Sequence, residues 1–192
     1  MLEIASNDIS SSLLTQAKQC LTDKTALKIE GNNSRPKIAN DQPVVVSLKE
    51  HTGVIQYEPS ELVIKVRAGT PVTQIQTLLK QNNQQLGTDF PDYGNSTFGG
   101  AIATGQTGSG RPFLGAIRDQ VLGLGIINGQ AQALNFGGQV MKNVAGYDVS
   151  RLLCGSAGKY AIITDVTLKV VPLKNNITVE LDAKADALTT IN

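Results

Sequence analysis

The residue types best suited to chemistry in this chain are those that shape backbone around an anion. The segment Glu30-Gly31-Asn32-Asn33-Ser34 follows a short apolar run. Gly31 admits a tight turn, and Asn32 and Asn33 tolerate left-handed φ better than most residues. Their successive N–H groups can curl into an anion-binding nest, with the Ser34 hydroxyl as a further donor. The four residues Gly31 to Ser34 also make an ordinary turn. On those residues alone both readings stay open; across the chain, 16 of the 19 glycines lie between Gly87 and Gly158. Nine of these gather in four loops, STFGG (96–100), TGQTGSGRP (104–112), FGGQ (136–139) and CGSAGK (154–159). Glycine inside a regular element costs about 0.5–1 kcal/mol relative to alanine, so this enrichment suits backbone lying close against a large ligand, an extended dinucleotide being the natural candidate.

Other chemistries fit less well. Cys20 and Cys154 have no motif spacing and read as small buried hydrophobes. His51, the single histidine, falls in the Lys49–Gly53 turn without a Cys or His partner, so no metal site is expected. Gly123-Leu124-Gly125-Ile126-Ile127-Asn128 lacks the third glycine and the strand–turn–helix setting of a dinucleotide fingerprint. GSAGK has the wrong spacing for a phosphate-binding Walker loop, with Tyr160 where Ser or Thr should hold magnesium. A serine or cysteine hydrolase finds no nucleophile elbow. Net charge is +1 and the arginines are scattered, with aromatics at 4% and no tryptophan, which argues against a nucleic-acid surface. An anionic ligand is then expected to rest mainly on backbone N–H groups and one or two arginines. No stretch is apolar and long enough to span a bilayer and none reads as a signal peptide, so a cytoplasmic location is expected, at most on the inner face of a membrane through partners.

These loops need elements to hold them, and 192 residues suffice to bury roughly 70% of the unfolded surface. Residues 8–22 place Ile9, Leu13, Ala17, Cys20 and Leu21 on one helical face, with Asp8 or Ser10 as cap. ALKIE (26–30), VVVSL (44–48) and ELVIKVRAG (61–69) read as strands, the last two joined by a hairpin around Gly53–Pro59. Thr70-Pro71 opens a helix with proline at its first position and Val72, Ile75, Leu78 and Leu79 inward. A short helix is expected at 98–104, then a hairpin of VLGLGIING and AQALNF turning at Asn128-Gly129. NVAGYDVSRLLCG (143–155) reads as helix with Val144, Val149, Leu152 and Leu153 inward, and YAIITDVTLKVVP (160–172) as a long strand. ITVEL (177–181) suggests one more strand, followed by the start of an amphipathic helix. The expected organisation is a small α/β lobe over 1–86, a larger sheet lobe over 87–172, and the opening of a further domain over 173–192.

Read in order, EPSELVIKVRAGTPV, P-x-Y-x-x-x-T-x-GG-x-I-A and GS-x-G-x-x-x-IIT-D resemble the FAD-binding domain of the vanillyl-alcohol-oxidase or PCMH type. FGGQVMKNVAGYD narrows the resemblance to FAD subunits of the glycolate-oxidase type, over about residues 25–172. The resemblance implies an α+β, two-lobed fold, a small α/β lobe plus a larger, mainly antiparallel sheet lobe with helices, holding FAD non-covalently between them. Ile29, Glu30, Gly31, Asn32, Asn33 and Ser34 would carry the pyrophosphate. Pro91, Tyr93, Ser96, Thr97, Gly99 and Gly100 would line the flavin side. Thr104, Gly105, Gln106 and Thr107 would approach the flavin or ribityl arm, and Gly158, Ile162 and Ile163 the adenine half. It further implies hydride transfer from a 2-hydroxy acid to the flavin and electron transfer to an iron–sulfur subunit, alongside a homologous FAD subunit. Glu30, where relatives carry glycine, and Tyr160-Ala161, where they carry Leu-Gly, depart from the pattern, as does the short length. They leave open a non-catalytic assembly module that has lost FAD, or a stand-alone dehydrogenase of another hydroxy acid. No catalytic base stands out among Asp92, Tyr93, Arg111, Arg118 and Lys142, and Asn143, Tyr147 and Asp148 read as structural.

Overall fold

A computed structural model describes residues 6–34, 44–91, 93–138 and 147–173; Asp92, Arg35, Lys142, Asn143, Val144 and the segments expected at 177–181 and 182–192 lie outside them. The first helix, α1 (Ser10–Thr22), buries Leu13, Ala17 and Cys20, whereas Leu21 is half exposed. Its N-cap position is Ile9, which makes no side-chain cap bond. Asp8, one residue further out, accepts the Ser10 N–H at 2.9 Å instead. Strand β1 (Leu27–Glu30) then runs parallel to β2 (Val44–Ser47) in a sheet of two strands.

The remaining strands form a separate six-stranded sheet in the order β3 (Val54–Glu58), β4 (Val63–Arg67), β8 (Ala161–Pro172), β6 (Val121–Asn128), β7 (Ala133–Gly137), with β5 (Gln84–Leu86) on the end of β8. Every pairing in it is antiparallel. VVVSL therefore does not turn back onto ELVIKVRAG: the hairpin there joins β3 to β4 through a 3-10 turn at Pro59–Glu61. The sheet also runs across residue 86, since β3 and β4 pair in one ladder with strands from the second half of the chain. Strand β8 is the spine. It is flanked on both edges and buried at most positions, including Val166, Leu168 and Val170.

Helix α2 (Val72–Gln81) packs Val72, Ile75, Leu78 and Leu79 inward, as their spacing predicts, but Pro71 occupies the N-cap rather than the first helical turn. Helix α3 (Phe98–Thr104) matches its expected span; Thr97 Oγ1 accepts the Gly100 N–H as cap, and Gly105, at φ 63°, ends it. The β6–β7 hairpin turns through Gly129–Ala131, with Ala131 left-handed at φ 53°. Asn128 Oδ1 accepts both the Gln130 and Gln132 N–H groups, so the asparagine acts through its side chain rather than in a two-residue Asn-Gly turn. Short helices α4 (Arg111–Leu114) and α5 (Val149–Leu153) and a 3-10 turn at Ile117–Asp119 complete the described elements. In α5 Leu153 is buried but Leu152 is exposed, against expectation, and Cys154 is only partly buried.

The two sheets are fastened where β2 leads into β3. His51 is fully buried there, and its Nδ1 accepts the Ile9 N–H at 3.2 Å, which leaves the proton on Nε2. Asp8 pairs with Arg67 at 2.8 Å; the Ser10 side-chain hydrogen bond, then Arg67, hold its carboxyl well below the usual carboxylate range. Gly69 lies against the carbonyls of Leu48 and His51, with its own N–H bonded to His51 O.

Candidate functional site

One cavity of about 850 Å³ opens between the two-stranded sheet and α1 on one side and α3 and the six-stranded sheet on the other. Its walls are built by contacts between loops far apart in sequence. Asn32 Nδ2 donates to Asn95 Oδ1 at 3.1 Å, and the Ser34 and Ser96 hydroxyls lie 3.2 Å apart. Gly31 faces Thr97 so closely that a Cβ there would stand 2.7 Å from Thr97 Oγ1. The N–H groups of Gly155 and Ala157 donate to Ile102 and Ala103 carbonyls, which docks the 155–158 loop on α3. Gly158, at φ 74°, completes the ring: a Cβ there would be 3.2 Å from Ile29 Cδ1.

Among the residues expected at a ligand, Ile29, Glu30, Gly31, Asn32, Asn33, Ser34, Thr97, Gly99, Gly100, Thr104, Gly158, Ile162 and Ile163 all line this cavity. Pro91, Tyr93, Ser96, Gly105, Gln106 and Thr107 do not. Ser96 stands immediately behind it, against Ser34. The Tyr93 hydroxyl donates to Gln106 Oε1 at 3.1 Å, and Thr107 Oγ1 accepts the Ile117 N–H at 3.3 Å, so these side chains tie the neighbouring loops together. Neither Arg111 nor Arg118 lines the cavity.

The structure also brings in residues that spacing did not single out. Ala17, Cys20 and Leu21 of α1, Lys24 to Leu27 beyond it, and the β6–β7 hairpin tip all contribute to the wall. The cations lining the cavity among the described residues are lysines, Lys24, Lys28 and Lys159, not the arginines that charge counting suggested. Among the described lining residues Glu30 is the one carboxylate facing them, so that lining carries net positive charge although the chain is nearly neutral. Glu30 itself is held by Lys28 Nζ at 2.9 Å and by Asn33 Nδ2 at 3.1 Å. Tyr160 lies mostly exposed at the cavity wall rather than filling it. A signal for Lys28 was present in the sequence: two residues apart on a strand, Lys28 and Glu30 share a face. Among the described residues, no cluster of His, Cys, Asp or Glu could hold a metal ion, and no helix is long and apolar enough to cross a membrane.

A cavity of this volume, a positive lining, a polar loop able to offer N–H groups and glycine-bared walls fit an extended anionic dinucleotide. The fold and this site define a class, and comparison with known proteins agrees: residues 14–137 match the family described as FAD binding domain, and the chain belongs to that family. Its cofactor is FAD. The chain is 44% identical over 169 residues to glycolate oxidase subunit GlcE of Escherichia coli (strain K12), an alignment covering 86% of this chain and 48% of that protein. It is 27% identical over 133 residues to D-2-hydroxyglutarate dehydrogenase of Xanthomonas citri pv. viticola, covering 69% of this chain and 28% of that one. The chain thus spans about half the length, or less, of these relatives. The solved structure of alkyldihydroxyacetonephosphate synthase superposes with a TM-score of 0.69 at 20% identity, over 85% of this chain and 30% of that one. That likeness establishes the α+β, PCMH-type FAD-binding fold.

Proposed function

We propose that this chain is the FAD-binding part of a glycolate-oxidase-type oxidoreductase acting on a 2-hydroxy acid. The observation that carries this reading is the 44% identity to GlcE, in a chain whose matching loops close around one positive cavity. The dehydrogenase relative, named for another 2-hydroxy acid, supports the substrate class. The loop from Gly31 to Ser34 would hold the diphosphate through backbone N–H groups. Thr97, Gly99, Gly100 and Thr104 would lie along the middle of the dinucleotide, and Gly158, Ile162 and Ile163 against its adenine half. When bound, FAD supplies the acceptor for a hydride from the hydroxy acid, and the protein supplies binding and orientation. Electrons would pass to an iron–sulfur subunit, with a homologous FAD subunit in the same complex.

The chain on its own is expected to bind FAD without robust turnover, because no catalytic base stands out among the described residues that line the cavity and the alignment covers 48% of GlcE. The purified chain should keep visible flavin absorbance after loading with FAD and desalting. Glycolate should bleach that absorbance anaerobically only with the partner subunits present. A colourless chain that cannot be loaded would overturn the reading in favour of a structural module. Glycolate oxidation by the isolated chain at ordinary enzymatic rates would overturn the need for partners.

A further inference from the structure

We propose that Lys28 is the internal counter-charge of the phosphate loop, neutralising Glu30 so that a loop beginning with a carboxylate can still accept the diphosphate of FAD. The inference rests on the site reading above and adds to it a residue on which affinity depends.

Both groups line the same cavity, at the point where β1 delivers the chain into the loop. Their separation of 2.9 Å and side-chain exposures of 23% and 16% describe an ion pair partly withdrawn from water, where charges interact more strongly than at an open surface. The second carboxylate oxygen accepts from Asn33 Nδ2 at 3.1 Å, and Asn33 itself holds the left-handed φ of 53°. The carboxylate is thereby fastened on both oxygens, between the strand and the third residue of the loop. Uncompensated, it would oppose the two negative phosphates entering beside it. Lysine suits the position: it carries three donors on a compact charge, so it can keep its bond to Glu30 and still offer a donor toward the cavity. Lys24 and Lys159 add to the positive lining.

The test is an FAD titration, followed by flavin fluorescence at low and high salt, of the full chain and three variants: Lys28→Met, Glu30→Gln and the double variant. Lys28→Met should weaken FAD binding roughly tenfold or more at low salt, with the loss shrinking at high salt. Glu30→Gln should bind at least as tightly as the parent chain. The double variant should recover to within roughly threefold of the parent, because removing the carboxylate removes the need for its counter-charge. Melting curves without FAD establish that each variant is folded, and Lys28→Gln replaces Lys28→Met if the latter is not. Equal losses from Lys28→Met with Glu or Gln at position 30 would overturn the counter-charge role, as would a Lys28→Met affinity within twofold of the parent. If the parent chain binds no FAD, the site reading falls and this inference with it; binding by the parent with losses that simply add removes this inference alone.

Discussion

At the scale of single residues, Cys154 and Asp8 carry perturbed titrations with opposite consequences. Burial pushes the Cys154 thiol up to about 11, with Arg118 opposing the shift weakly. Its folded value lies above its unfolded one, so the stability it contributes is complete below about pH 9 and is lost as pH rises toward 11. At pH 8 the thiol stays protonated, and iodoacetamide should label Cys154 at least tenfold more slowly in the native chain than in urea, read by mass spectrometry. Asp8 is shifted the other way, by Ser10 and then Arg67, so its contribution is present at neutral pH and fades as pH falls below its ordinary value near 4. Its carboxylate is 54% exposed, which limits the effect of the ion pair to about 0.5–1 kcal/mol. Asp8→Asn should lower stability by that amount at pH 7, and the gap between variant and parent in denaturant midpoints should begin to narrow only as pH is lowered below about 4.

At the scale of elements, Gly69 is the tightest joint, because it stands where β4 leaves one sheet and meets the turn that follows the other. A side chain there would collide with the Leu48 carbonyl, a backbone atom that cannot swing aside. Gly69→Ala should therefore cost about 3 kcal/mol or more and lower the melting temperature by roughly 10 °C, measured by circular dichroism without ligand. This joint was not legible in the sequence, where AGTP reads only as a loop after a strand. Helices α2 and α3 were legible because Val72, Ile75, Leu78 and Leu79 repeat at helical spacing and Thr97 and Gly105 bracket a short apolar run. The long strand β8 was also clear from its apolar content. Its neighbours were not, since pairing between β4 and β8 joins residues about a hundred positions apart and no local pattern encodes it. For the same reason the site was half visible. The glycines marked loops that lie close to something, whereas the lining by α1 and by Lys28 follows from how β1 and β2 are placed beside the larger sheet.

At the scale of the whole molecule, the cavity divides a large sheet from a small one. The six-stranded sheet shares one buried core with the helices packed on it and with Leu13, Ala17 and Val46 of the smaller side. The β1–β2 pair has only two strands, too few for independent stability, and leans on α1, on the Ile9–His51 and Asp8–Arg67 contacts, and on whatever fills the cavity. FAD at a hundredfold excess over Kd should stabilise the chain by about 2.7 kcal/mol. In hydrogen exchange, the slowing should be greatest at amides of β1 and the 31–34 loop and small at β8; a uniform slowing would contradict this picture. Where partial opening of the small sheet is the route to proteolysis, the division between sheets would tie the polypeptide's survival to the supply of its cofactor. A cell short of riboflavin should clear this chain faster than it clears proteins with a single continuous sheet, so that its abundance follows vitamin supply even at constant synthesis.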